Sequence, residues 1–279
     1  GGLSVVSPSQ VARTCFLGHT CILDLDSEIL LADTCGNVES SHLFFGQHDS
    51  NASVRLLSVS ITTLSGGSYR LCWCDSDCEI PQHFQVDLGV LHLLGPPLHQ
   101  DQTCILGLGC FIPLPTRDLD TSIMVLDTCG KSSHRADLPG FLHINISEVQ
   151  EVGLDLTKYS VPAGLYRLCW CTVPDAAETL GSGAFASCVS ETDFVVDFGS
   201  LMVLGPNPLE QDRTCVSGHH CQLVDFHGLG MDSYGVDLSS LSPYYMVLDT
   251  CASSHVVTGF PSSHTAMAAT WREVSTPSG

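Results

Sequence analysis

The hexapeptide Tyr69-Arg70-Leu71-Cys72-Trp73-Cys74 returns as Tyr166-Arg167-Leu168-Cys169-Trp170-Cys171, and much of the chain around each copy repeats with it. Its aromatic and branched residues favour an extended strand, in which successive side chains point to opposite faces. Tyr69, Leu71 and Trp73 then share one face, and Arg70, Cys72 and Cys74 the other. Two cysteines at i and i+2 are poorly placed to bond each other, so each is expected to pair with a different partner. The hexapeptide reads as a stapling strand that fastens its neighbours.

Three further features accompany it. The first is Thr-Cys-x-x-Gly-x-x-Cys, at Thr14–Cys21, Thr103–Cys110 and Thr214–Cys221. An apolar segment ending in Asp-Thr-Cys follows, at Leu30–Cys35, Met124–Cys129 and Met246–Cys251. After the stapling strand comes an alternating run into Gly-Pro, Phe84 to Pro96 and again Phe194 to Pro206, whose tail alone opens the chain as Gly1 to Pro8. Period-2 patterning, β-branched and aromatic residues, and Gly, Pro and Ser clusters between runs argue for short strands. Units of roughly 90 to 110 residues built this way suggest an all-β, immunoglobulin-like β-sandwich, repeated in tandem as a semi-rigid rod. Proline lacks a donor hydrogen, so each Gly-Pro is expected to end its ladder. The expected divisions are a last strand of a preceding module at 1–7, modules at 8–95 and 96–205, and an incomplete module at 206–279. The opening Gly1-Gly2-Leu3 resembles neither a signal peptide nor a natural start, and the chain reads as a piece of something longer.

Of the 279 residues, 44% are hydrophobic and 14% charged, enough apolar material for packed cores and too little charge for a disordered chain. No apolar run approaches a membrane span. The formal net charge is −20, with Lys131 and Lys158 the two lysines. Nucleic-acid affinity rests on cations that neutralise phosphate, so that class of partner is excluded. The acidity reads as a solvated, self-repelling surface.

Fifteen cysteines point to an oxidising, extracellular setting, because the local spacing C-x5-C differs from the paired clusters of zinc sites. Six fall in each complete unit: Cys15, Cys21, Cys35, Cys72, Cys74 and Cys78, then Cys104, Cys110, Cys129, Cys169, Cys171 and Cys188. Six cysteines allow fifteen pairings. One hypothesis accounts for the odd number left in the third unit. Each C-x5-C pair closes on itself, including Cys215 with Cys221; Cys35 joins Cys72 and Cys74 joins Cys78; Cys129 joins Cys169 and Cys171 joins Cys188. Cys251 is then unpaired, because no stapling strand follows it in this sequence.

Asn51-Ala52-Ser53 and Asn145-Ile146-Ser147 are sequons in matching places, so N-linked glycans are expected on Asn51 and Asn145. His219, His220 and His227 near Cys221 invite a metal, but the other units lack the cluster and polar loop histidines are common. The triplets Ser40-Ser41-His42, Ser132-Ser133-His134 and Ser253-Ser254-His255 follow from shared descent of the repeats, since a triad is defined by spatial geometry. Acidic clusters at Asp24/Asp26, Asp75/Asp77 and Asp118/Asp120 lack the glycine-bearing loop that specifies calcium, which stays the minor reading beside a solvated face. No metalloprotease, nucleophile-elbow or phosphate-loop motif occurs, so no catalytic residue, metal or cofactor is assigned and the chain is read as a non-enzyme.

With Gly-x-Tyr-Arg-Leu-Cys-Trp-Cys followed by Phe-x-Val-Asp-x-Gly-x-Leu-x-x-x-Gly-Pro, the chain resembles the cysteine-rich tandem modules of very large secreted proteins of unicellular eukaryotes, found in surface coats and flagellar hairs (mastigonemes). That resemblance implies a glycosylated, multi-module extracellular component that associates with itself into a filament or coat. The rival expectation is an adhesion or receptor ectodomain binding glycans or proteins through module loops, with the insertion Thr172–Ser190 as its best candidate.

Overall fold

The computed structural model describes residues 11–21, 29–37, 41–45, 59–60, 63–75, 77–113, 121–132, 151–155, 161–173, 188–216, 219, 226–230, 244–251, 253, 255, 257 and 265–266. Among these the fold is all-β, with 3-10 turns at Pro81–His83 and Glu191–Asp193 and no α-helix. The strands of the first repeat are β1 (Val11–Phe16), β2 (Thr20–Cys21), β3 (Ile29–Ala32), β4 (Ser41–Phe45), β5 (Val59–Ser60), β6 (Gly67–Trp73) and β7 (Val86–Leu94). The second contributes β8 (Gln102–Ile105), β9 (Gly109–Pro113), β10 (Thr121–Leu126), β11 (Glu151–Asp155), β12 (Gly164–Thr172) and β13 (Val196–Pro206). Three two-residue strands follow: β14 (Gly228–Leu229), β15 (Tyr244–Tyr245) and β16 (Thr265–Ala266).

One five-stranded sheet has the order β1-β7-β6-β3-β4, and β2 pairs with β5 separately. It is mixed: β1 runs parallel to β7 while the β7/β6, β6/β3 and β3/β4 pairs are antiparallel. The second sheet runs β10-β12-β13-β14 with β8 also on β13. Gln100 N donates to Phe198 O and Leu106 N to Leu204 O, a constant offset that sets β8 alongside β13 in the same direction. The order β1-β7-β6-β3 therefore reappears as β8-β13-β12-β10, with the stapling strand central in both. By compactness the chain divides into one unit of Gly1–Gln102, Phe111–Leu154 and Tyr166–Leu201, and another of Thr103–Cys110, Asp155–Leu165 and Met202–Gly279.

The stapling strand buries both faces rather than one. Tyr69 and Leu71 are buried on one side, and on the other Cys72 and Cys74 pack with Leu30, Ala32 and Phe84. A bulge opposite Leu71 and Cys72, where the register steps from Gly89 to Asp87, re-aims the strand at that point. The second repeat builds the same small core from Met124, Leu126, Cys169, Cys171, Cys188 and Phe194. Phe84 and Phe194, both fully buried, close the 3-10 turns instead of beginning strands, so β7 and β13 start at Val86 and Val196. The turn is built in two ways. Pro81 presets the backbone at the first helical positions of one. In the other Ser190 Oγ accepts from Thr192 N at 3.2 Å, and the Asp193 carboxylate accepts from Ser190 N at 2.8 Å.

The Gly-Pro pairs depart from expectation in the second repeat. β7 stops at Leu94, but β13 runs through Pro206, where β14 adds to it. A proline still accepts through its carbonyl. Pro206 O takes the Ala163 N–H at 3.3 Å, as Pro96 O takes that of Gly66 at 3.0 Å. The glycine before each proline answers a close approach, since a Cβ on Gly95 would lie 2.4 Å from Leu17 Cδ1 and one on Gly205 2.6 Å from Leu106 Cδ1.

Candidate functional site

Each stapling strand carries the same set of crosslinks. Disulfides join Cys35 to Cys72 and Cys74 to Cys78, Cys129 to Cys169 and Cys171 to Cys188. The turns that link β1 to β2 and β8 to β9 are closed by Cys15–Cys21 and Cys104–Cys110. Cys215 is disulfide-bonded, and Cys221 lies outside the described residues. Cys251 is free and exposed. A sulfur-rich pocket closed over a fully buried phenylalanine is an apolar core in miniature, and the crosslinks shrink the unfolded ensemble that competes with it. Phe84 and Phe194 had no special signal in the sequence beyond recurring at the same place.

Each stapling strand is also held to the strand that follows it by charge. Arg167 Nε donates to Asp197 Oδ2 and Nη2 to Asp197 Oδ1, both at 2.7 Å. In the first repeat Arg70 Nη1 lies 3.2 Å from Asp87 Oδ2. Tyr69 OH donates to Ser65 O at 2.7 Å, which ties the start of β6 to the turn before it. Burial, then the charge of Asp33, raises the Tyr69 phenol above its ordinary value, so the donor keeps its proton at physiological pH.

Within the first compact unit, the turn between β1 and β2 meets the second repeat. His19 Nε2 lies 2.9 Å from Thr172 O at the end of β12. Gly18, at φ 76°, sits where a Cβ would come within 2.8 Å of Val196 Cγ2 and 3.0 Å of Val195 Cγ2. The β1–β2 turn therefore rests on the end of one stapling strand and the start of the strand that follows it. Gly107, the matching glycine of the second repeat, has φ 78° and, among the described residues, no atom within 4 Å of the same position. Leu108, in the place of His19, is 56% exposed.

A shallow cleft of about 320 Å³ is lined by Trp73, Cys74, Asp75, Asp77, His83, Gln85 and Val86. His83 Nδ1 contacts Asp77 O, so this ring is engaged by backbone. Among the described residues no group of three or more His, Cys, Asp or Glu side chains is arranged to hold a metal. His219 and His227 are exposed, while His220, Asp24, Asp26, Asp118 and Asp120 lie outside the described residues. Ser253 Oγ accepts from His255 N at 3.4 Å, a local turn rather than a catalytic relay. Asn51, Asn145 and most of the insertion between Thr172 and Ser190 also lie outside the described residues. No helix among the described residues is long and apolar enough to cross a membrane. The six disulfides traced among the described residues belong to an oxidising environment.

No protein-family model matches this sequence, and no curated protein matches it.

Proposed function

We propose that the chain is a structural subunit of an extracellular, glycosylated filament or surface coat, made of tandem disulfide-stapled immunoglobulin-like β-sandwich modules divided near Pro8, Pro96 and Pro206. The observation that carries this reading is the recurrence of one stapled core, Leu30/Cys35/Cys72/Cys74/Cys78/Phe84 and Met124/Cys129/Cys169/Cys171/Cys188/Phe194, in successive repeats. The repeats are joined where Gly18 and His19 rest on the next stapling strand. Repetition of a crosslinked core with a built joint is what a load-carrying array needs, and no part of it requires chemistry on a substrate.

Three features support the sandwich type. The order β7-β6-β3-β4 corresponds to the G-F-C-C′ order of variable-type domains. The β2/β5 pair corresponds to neighbours B and E of the opposing sheet. The Tyr69 hydroxyl bonded back to Ser65 O resembles the tyrosine corner at the start of strand F. The crosslink differs from the antibody pattern, because Cys35–Cys72 joins β6 to the turn that follows its neighbour β3 in the same sheet rather than facing sheets.

Glycans at Asn51 and Asn145 would protect strand edges from wrong pairing, and self-association is the partner this reading requires. Electron microscopy of the unreduced, native-source protein at dilute concentration tests it. Filaments with a regular axial repeat are expected, and dispersed single particles overturn the reading. They would favour the second one, a binding ectodomain. Its specific support is the cleft at Trp73, an indole edged by Asp75, Asp77 and Gln85 that offers an aromatic floor and polar rim to a sugar or peptide.

A further inference from the structure

We propose that the cleft at Trp73 is the docking site for the β8–β9 turn of a second copy of this chain, with Leu108 seated against Trp73 and Val86. Copies then associate head to tail through the same joint that Gly18 and His19 make within the chain. The inference rests on the filament reading above and names the surfaces that join its subunits.

The occupied joint defines two surfaces, a turn at Phe16–His19 and a face at Trp170, Thr172, Val195 and Val196. His19 Nε2 lies 2.9 Å from Thr172 O, and Gly18 closes on both valines. The face recurs in the first repeat as Trp73, Asp75, Gln85 and Val86, by alignment of the two stapling strands and of Phe84 with Phe194. Both copies are built alike. A Cβ on Gly36 would lie 3.5 Å from Gln85 Cγ, as one on Gly130 would lie 3.2 Å from Val195 Cγ1. The turn recurs at Ile105–Leu108 with the same backbone. Leu108 N donates to Ile105 O and His19 N to Phe16 O, both at 3.2 Å, while Leu106 N donates to Leu204 O and Leu17 N to Leu94 O, both at 2.9 Å.

Burial is what differs. On the face, Val196 is 1% exposed and Val86 40%; Thr172 is buried and Asp75 exposed; Trp170 is buried and Trp73 half-buried. On the turn, Phe16 and Leu17 are buried where Ile105 and Leu106 are half-buried, and His19 is half-buried where Leu108 is exposed. Each surface of the joint is wetter in the repeat where, among the described residues, its partner does not cover it. The first repeat thus offers a face and the second a turn, the two halves of one joint.

Leu108 has no side-chain donor to replace the His19 contact, and the gain is apolar instead. The Trp73 indole and the Val86 side chain line the cleft as partly wet apolar surface, which burial against an isobutyl group removes from water. The segment Thr103–Cys110 carries no charged side chain, so it adds no repulsion against Asp75 and Asp77 in the cleft lining. The contact is heterologous. A copy that donates its turn keeps its own cleft free, so association continues past the dimer.

The test uses the full chain, unreduced, with the exposed thiol of Cys251 alkylated so that no interchain disulfide forms. Sedimentation velocity over a roughly hundred-fold range of concentration reads the association. The wild type is expected to form dimers and longer species as concentration rises. Leu108→Asp puts a charge on the turn and Val86→Glu puts one in the cleft, and each should weaken self-association at least roughly ten-fold. Mixed in equal amounts, the two variants should recover a dimer and stop there, because one supplies an intact turn and the other an intact cleft. That recovery also shows that both variants fold. Variants that associate as the wild type does would overturn this inference and leave the filament reading standing on another surface. A mixture that stays monomeric while the wild type associates overturns it as well. If the wild type is itself monomeric throughout, the filament reading falls and this inference with it, and the cleft passes to the sugar or peptide of the second reading.

Discussion

Arg167 grips Asp197 through two parallel N–H···O contacts of 2.7 Å, whereas its counterpart Arg70 reaches Asp87 through one of 3.2 Å. The hydrogen bond to Asp197 raises the Arg167 guanidinium above its ordinary value, the direction expected when the charged form is the one held. Both pairs are more than a third exposed, so solvent screening keeps each contribution small. Two-point geometry still separates them. A double-mutant cycle on Arg167 and Asp197 should give a coupling of about 0.5 to 1 kcal/mol, and one on Arg70 and Asp87 a few tenths at most. Urea denaturation of the unreduced protein measures both. Equal couplings would mean that the fork geometry adds nothing.

The two turn glycines make an internal control. Gly18 and Gly107 share a left-handed φ of 76° and 78°, so alanine strains the backbone equally at both. They differ in what surrounds them. At Gly18 the new methyl must displace Val196 and Val195, and at Gly107 it meets no atom of the described residues within 4 Å. Gly107→Ala should cost about 1 kcal/mol, and Gly18→Ala about 1 to 3 kcal/mol more. Thermal unfolding of the two variants side by side checks the difference. If they are equal, the joint seen at Gly18 does not hold the repeats together in solution.

Acid should loosen a strand pair specific to the second repeat. Asp101 Oδ1 accepts from Ser200 Oγ at 2.6 Å and from Ser200 N at 3.0 Å. These two bonds to Ser200, side chain first, hold the Asp101 carboxyl below its usual range. A folded value depressed below the unfolded one contributes stability above the ordinary carboxylate range, and that contribution is lost as pH falls through the folded value. Ser200→Ala should therefore move the Asp101 midpoint upward in an NMR titration. An unchanged midpoint would assign the bond no weight. In the first repeat this register position is Ala12 opposite Val90, so no such acid sensitivity is expected there.

The strands were legible because their sequence signals are local and occur twice. Period-2 runs at Leu71 and Leu91, and the copies at Leu168 and Leu201, report one backbone geometry with two independent samples of side chains. What local pattern could not give was anything set by a third strand. The bulge at Leu71/Cys72, the 3-10 turns that place Phe84 and Phe194, and the continuation of β13 through Pro206 all depend on neighbours distant in sequence. Proline rules speak of the missing donor and not of the carbonyl, which is how the Gly-Pro rule failed at Pro206. The segment Met246–Cys251 shows the same limit from the other side: its residues have the composition of a buried strand, yet Met246 is 39% exposed and pairing within the segment is reduced to a bridge at Leu248.

Loop length should rank the second crosslink of each repeat. Cys74–Cys78 spans a sequence separation of 4 and Cys171–Cys188 one of 17, although both close over the same type of core. On a chain-entropy account the shorter loop restrains the unfolded state by about 2 kcal/mol and the longer by about 3 kcal/mol. Replacing both cysteines of a pair by alanine removes the restraint without leaving a thiol. The loss in unfolding free energy should then be greater for Cys171/Cys188 by about 1 kcal/mol. Packing against the phenylalanine is present in both repeats and largely cancels in the comparison. If the Cys74/Cys78 variant proves the weaker protein, contacts of those sulfurs with Phe84 and Leu30 outweigh loop entropy, and the bond stabilises as core rather than as a tether.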